Sequence, residues 1–141
     1  MKIIDGLIYD TVGFTCSAFD LLHAGHIIML EYAKKRCDKL IVGLQIDPTI
    51  DRPEKNKPIQ LLEERLIQLE AVKYVDEIFT YNTEKELYKN LLDIKPDVRI
   101  LGSDYIGKSF TGDDLDIKIY YHDRSHNYSS TNLRKKICGI I

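Results

Sequence analysis

Residues 11–46 carry the pattern that narrows the choice of folds most. A β-branched and aromatic stretch, TVGFTCSAF (11–19), leads through a polar loop into a helical pattern, AGHIIMLEYAKKRC (24–37). A near-continuous apolar run, KLIVGLQI (39–46), follows. Such a run suits a strand buried on both faces, which in practice means a parallel sheet covered by helices. In the helix, Ile27, Ile28, Leu30, Tyr32 and Ala33 are predicted along one side, with Lys34, Lys35 and Arg36 in the last turn, where cations oppose the dipole.

The alternation continues. IQLLEERLIQLEAVKYV (59–75) has apolar residues at 61, 62, 66, 69 and 72, a helical period. DEIFTY (76–81) is a short strand, EKELYKNLLDIK (84–95) a helix closed by Pro96, and DVRILGSD (97–104) a strand. LDIKIYYHD (115–123) alternates as a last strand, and SSTNLRKKICGII (129–141) is a helix with Ser or Thr at its start. Strands alternating with helices predict one α/β domain over residues 1–141, Rossmann-like and doubly wound, with a mainly parallel sheet of about five strands. Residues 1–11 form a short lead-in, with an Asp-Gly pair suited to a small hairpin.

The charge balance removes several function classes. The 141 residues carry 20 Lys and Arg against 22 Asp and Glu, a formal net charge of −2. A nucleic-acid protein that neutralises phosphates would be more basic, so no nucleic-acid partner is expected. No apolar run is long enough to span a bilayer, and Asp5 interrupts the place of a signal peptide's apolar stretch. A cytoplasmic protein without a membrane partner is the expectation. The three cysteines, Cys16, Cys37 and Cys138, have neither zinc spacing nor a disulfide framework, so buried free thiols are expected.

In open α/β sheets ligands bind beyond the carboxyl ends of the strands, where strand order reverses. The loops predicted at that rim are 17–26, 47–58, 81–83, 102–114 and 122–129, and four are rich in polar residues. The first reads FDLLHAGH, with His23 and His26 three apart and Gly25 between them. At a helix start, two imidazoles and open backbone amides suit phosphate. They equally suit plain capping, and H-x-x-H is also a metal-ligand spacing, although no cysteine or carboxylate cluster completes one. There is no Walker loop and no G-x-G-x-x-G fingerprint, which argues against a kinase or a dehydrogenase.

FDLLHAGH resembles the H-x-G-H signature of the nucleotidylyltransferase superfamily, cytidylyltransferase branch, near the glycerol-3-phosphate cytidylyltransferases. KPIQLLEERL (57–66), KYVDEIF (73–79), LGSDYIGK (101–108) and RSHNYSST (124–131) are similar to further segments of that family, in order along the chain. The resemblance implies nucleotidylyl transfer from a nucleoside triphosphate, CTP favoured, to a phosphorylated alcohol such as glycerol 3-phosphate. Attack would be in line, with Mg²⁺ held mainly by the triphosphate and no protein metal ligands. It implies catalytic roles for His23, His26, Lys57 and Arg124. It implies nucleotide contacts from Ser17, Ala18, Phe19, His23, His26, Arg65, Asp104, Ser129, Ser130 and Thr131, and acceptor contacts from Lys57, Arg65 and Arg124. Asp20 would organise its loop. A homodimer is also implied, with KYVDEIFTY as the segment to inspect.

Three positions depart from the family pattern. Ser17-Ala18 stands where the family has Gly-Thr, Ala24 where the cytidylyl branch often has Trp, and His126-Asn127-Tyr128 where it has Glu-Gly-Ile. These keep two other functions open: an adenylyltransferase acting on a sugar phosphate of the ADP-heptose type, and a nucleotide-binding domain that has lost turnover.

Overall fold

A computed structural model describes residues 2–4, 6–123 and 125–139. The lead-in forms the small antiparallel hairpin that the Asp-Gly pair suggested, β1 (Lys2–Ile4) against β2 (Leu7–Tyr9), with Gly6 at φ +79° in the turn. That left-handed geometry is cheap for glycine.

Five further strands make one all-parallel sheet: β3 (Val12–Ser17), β4 (Lys39–Gln45), β5 (Glu77–Tyr81), β6 (Val98–Gly102) and β7 (Lys118–His122). Their spatial order is β5-β4-β3-β6-β7. Every residue of β4 is buried, as its apolar run requires. Order reverses between β3 and β6, so the carboxyl ends of those two strands flank a crevice.

Both faces of the sheet are covered. On one, α1 (Ala24–Lys34) and α2 (Leu62–Glu70) bury Leu30, Ala33 and Leu69 against Leu40, Val42, Leu44 and Ile100. On the other, α3 (Glu84–Ile94) packs Leu87 and Leu91 against Val12, Phe14 and Ile41. The final helix, α4 (Ser130–Ile137), follows β7 and brings its start to α1. The link from β6 to β7 has no α-helix, only a 3-10 turn at Ser103–Tyr105 and the irregular segment 106–117.

The structure corrects some details of the pattern. Ile28 is exposed, and Met29 packs on the core instead. Residues 27–29 are consecutive, and at about 100° per residue they cannot all face one way. Leu61 is also exposed, because it stands at the N-cap of α2 rather than within it. That helix ends at Glu70, short of the periodic stretch, and Val72 reaches the core from the turn that follows. Of the thiols, Cys16 and Cys37 are half-buried but Cys138 is exposed. Burial pushes the Cys37 thiol up to about 11.

Candidate functional site

A cleft of about 1080 Å³ opens at the carboxyl ends of the strands. All four histidines of the chain line it: His23, His26, His122 and His126. The first two are positioned by backbone. His23 is the N-cap of α1, and its Nδ1 accepts the N–H of Gly25 at 3.0 Å. His26 returns the favour, its Nδ1 accepting the N–H of His23 at 3.1 Å. The rings lie 4.0 Å apart between centroids.

This reciprocal cap dictates chemistry. A backbone N–H can only donate, so both Nδ1 atoms must be unprotonated, and each neutral ring carries its proton on Nε2. Two Nε2–H donors therefore belong to rings at the wall of the cleft. His23 Nε2 stands 3.2 Å from the hydroxyl of Ser130, which in turn donates to the Asp20 carbonyl at 3.3 Å. The relay runs one way because its first link is a backbone amide. The start of α4 thus meets the start of α1, and two helix N-termini converge on one place. Ser129 caps α4 by accepting from Asn132 N–H at 3.0 Å, and Thr131 also lines the cleft.

Gly25 is required by close approach. A Cβ there would lie 2.9 Å from the Tyr128 carbonyl oxygen and 2.9 Å from His23 Cε1. Only glycine lets the 126–128 segment lie over the start of α1. There, His126 Nδ1 accepts the Tyr128 N–H at 3.2 Å, and its ring stacks on Tyr128. That bond leaves Nε2 as the protonated nitrogen of His126, and this atom is buried with no partner among the described residues.

The loop that presents the histidines is held from below. Phe19 and Leu21 both have left-handed backbone, at φ +49° and +52°, a costly state for bulky residues. Asp20 between them is buried and holds the turn. It accepts the N–H groups of Ile59 and Gln60, each at 2.9 Å, and a guanidinium N–H of Arg134 at 2.7 Å. Burial opposes its charge, but these donors win and hold the carboxyl below its ordinary value. Asp20 thus has the organising place expected for it.

Several expected contact residues are placed elsewhere. Ser17 and Ala18 line the cleft, but Phe19 does not; it is buried in the core with its ring under His26. Arg65 is only 2% exposed and lies off the cleft wall. Its guanidinium donates to the carbonyls of Ala18 (3.0 Å), Gln45 (2.7 Å), Ile46 (2.7 Å) and Gln60 (3.2 Å). Four of the five N–H groups are spent on backbone, so the arginine fastens the loop after β3 to both ends of the β4–α2 connection instead of presenting a charge to solvent. Lys57 and Asp104 are exposed and also off the wall; the basic residues of the 47–58 loop that line the cleft are Arg52 and Lys55. Arg124 lies outside the described residues.

In the opposite half of the cleft, loops 47–58 and 102–114 lie at the rim as expected, but pattern reading missed a strand residue. Arg99, from the middle of β6, lines the cleft while only 3% exposed. Its guanidinium donates to the Thr111 carbonyl, lies 3.8 Å from Cys16 Sγ, and sits over the rings of Phe14 and Phe110. Thr111 donates its hydroxyl to Glu84 at 2.9 Å, and Glu84 pairs with Arg52. Burial pushes the Tyr81 phenol far above its ordinary value, so it remains a neutral hydroxyl in this wall. The one signal for Arg99 was a charged residue inside DVRIL, an otherwise apolar buried strand.

Comparison with known proteins gives a consistent picture. Residues 14–136 match the family model described as cytidylyltransferase-like. The chain is 37% identical over 132 residues to the bifunctional protein HldE of Campylobacter fetus, covering 92% of this chain and 28% of that protein. It is 35% identical over 133 residues to HldE of Paramagnetospirillum magneticum, covering 91% and 27%. The chain therefore spans little more than a quarter of these relatives' length. Among solved structures, a lipopolysaccharide core biosynthesis protein from Thermoplasma volcanium is similar with a TM-score of 0.59 at 25% identity, covering 92% of this chain and 88% of that one. Pantothenate synthetase from Thermus thermophilus shares the fold, with a TM-score of 0.63 at 17% identity over 90% of this chain and 64% of that one.

Proposed function

Because the chain belongs to the cytidylyltransferase-like family of nucleotidyltransferases, we propose that it transfers an adenylyl group from ATP to the phosphate of a sugar phosphate, as in ADP-heptose formation. The HldE relatives and the lipopolysaccharide core protein favour sugar-nucleotide chemistry over the CTP and glycerol 3-phosphate that the motif resemblance alone put first.

The observation that carries the reading is the paired histidine cap at two converging helix starts. In the proposed reaction an acceptor phosphate oxygen forms a bond to the α-phosphorus. The bond from that phosphorus to the oxygen bridging to the β-phosphorus breaks, and pyrophosphate leaves with the electron pair. No proton must be taken from a phosphate dianion. The protein's work is therefore alignment and charge stabilisation. The Nε2–H of His26, and that of His23 on turning from the Ser130 hydroxyl, donate to oxygens whose charge grows as the phosphorus becomes pentacoordinate. The open amides at the starts of α1 and α4, with the hydroxyls of Ser129, Ser130 and Thr131, hold the phosphates. Lys55 faces the cleft as a cation for the triphosphate, and Lys57 and Arg124 are proposed as supplementary cations.

Mg²⁺ held by the triphosphate's own oxygens is proposed on family grounds. When bound, the ion would supply neutralisation of phosphate charge. A homodimer is proposed on family grounds alone. No helix among the described residues is long and apolar enough to cross a membrane.

The test is thermal stability with Mg²⁺ and ATP, CTP, GTP or UTP, followed by pyrophosphate release with heptose 1-phosphate or glycerol 3-phosphate. A ligand that binds the folded state alone raises the midpoint. A shift with ATP and turnover with the heptose phosphate are expected. A shift with CTP alone would return the cytidylyl reading. A shift without turnover would leave a nucleotide-binding domain without catalysis, and no shift with any nucleotide would overturn the reading.

A further inference from the structure

Resting on the sugar-phosphate reading above, we propose that the half of the cleft around Arg99 is the acceptor subsite, and that it takes the polyhydroxyl body of the sugar, with Arg99 as its specificity-determining donor.

Arg99 has no carboxylate partner in any ion pair among the described residues, although it is almost wholly buried. Its Nε is buried and has no acceptor among them either. Keeping a buried cation with an unmatched donor is expensive, and the ring faces of Phe14 and Phe110 offset only part of that cost. In the cleft that Arg99 lines, an oxygen ligand would take up guanidinium N–H groups that Thr111 and Cys16 leave over. The room exists: single small-molecule sites run to about 300–1,000 Å³, and the cleft, at about 1080 Å³, lies above that range.

The neighbours decide which oxygen ligand it is. Thr111 joins the groups, its carbonyl accepting from Arg99 and its hydroxyl donating to Glu84. Asp51, also on the cleft wall, accepts the N–H of Glu84 at 2.5 Å. Arg52 is committed to Glu84, so a second phosphate here would gain no free cation from that pair and would meet the Asp51 carboxylate as like charge. Vicinal hydroxyls would not, since each both donates and accepts: they can give protons to the carboxylates and receive from the guanidinium. The histidine half has the opposite make-up, with donors and helix starts, and there the phosphates belong. The sugar body on Arg99 and its phosphate toward the histidines would span the cleft from one face of the sheet to the other.

The experiment compares the intact wild-type chain with Arg99→Met and Arg99→Gln, using Mg²⁺-ATP with heptose 1-phosphate. Wild-type turnover tests the functional reading by itself. Given that turnover, both variants are expected to raise KM for the heptose phosphate about 10- to 100-fold, the loss of a charge-assisted hydrogen bond. KM for ATP should stay within about twofold. Circular dichroism establishes which variants fold, and Gln serves if Met does not. An unchanged acceptor KM in a folded variant overturns the subsite. So does an ATP KM that rises as much as the acceptor KM, since Arg99 would then serve the nucleotide. Absence of wild-type turnover with any sugar phosphate overturns the reading and this subsite with it.

Discussion

Arg65 and Arg99 are buried almost equally, at 2% and 3% exposure, but Arg99 lines the cleft and Arg65 lies off its wall. Their surroundings are opposite. Arg65 spends four N–H groups on carbonyls of two loops, while Arg99 keeps a buried Nε with no acceptor among the described residues. Burial alone therefore says nothing about role. The hydrogen-bond balance does: a saturated guanidinium belongs to the fold, and an unsaturated one facing a cavity awaits a ligand.

The histidines add a second kind of test, because each ring has one nitrogen in the helix cap and the other on the cleft side. Nδ1 is committed to the helix cap, and Nε2 is the donor at the cleft. His23→Ala or His26→Ala should lower kcat by at least ~10²-fold, the size expected for a lost charge-stabilising donor. The same change should cost only about 1 kcal/mol of stability, the worth of a cap. Wild-type turnover in both variants would end the assignment.

Arg65→Met should act mainly through stability, lowering the unfolding free energy by about 3 kcal/mol because buried carbonyls lose their donors. Denaturant titration reads this directly. Normal stability with failed ATP binding would break the comparison and return Arg65 to the nucleotide. Arg99→Met should move stability the other way, by roughly 1 kcal/mol upward in the absence of ligand, since an imperfectly matched buried charge is removed. A marked loss of stability would mean that Arg99 is also a structural tie.

The smallest effect concerns Asp20, a saturated anion beside the saturated cation. Its carboxyl titrates below the ordinary value of 3.8. A depressed carboxylate contributes stability that is complete above the unfolded value and lost as pH falls through the folded one. Stability should thus drop below about pH 4, and Asp20→Asn should flatten that limb of the profile. An unaltered acid limb would place the sensitivity elsewhere.

The sheet, its two covered faces and the position of its ligand cleft were legible because periodicity and apolar runs are local signals. His23 and His26 were legible for the same reason, since spacing puts them at one helix start. The partners of Arg65 were not. They come from residues 18, 45, 46 and 60, and no pattern in EERL announces carbonyls supplied by distant turns. Lys57 and Arg52 share one loop and look alike in sequence. Only the fold decides that Arg52 lines the cleft and Lys57 points away.

Arg65 holds Gln45 and Ile46 at one end of the proline-rich 47–58 segment and Gln60 at the other. The segment is thereby closed at its base like a handle, and Asp51 and Arg52 tie it a second time, to Glu84 at the start of α3. Lengthening such a closed loop costs little, about 0.6 kcal/mol per doubling. A lengthening placed after Arg52, beyond its tie to Glu84, is therefore expected to leave the histidine pair and the Arg65 bonds in place.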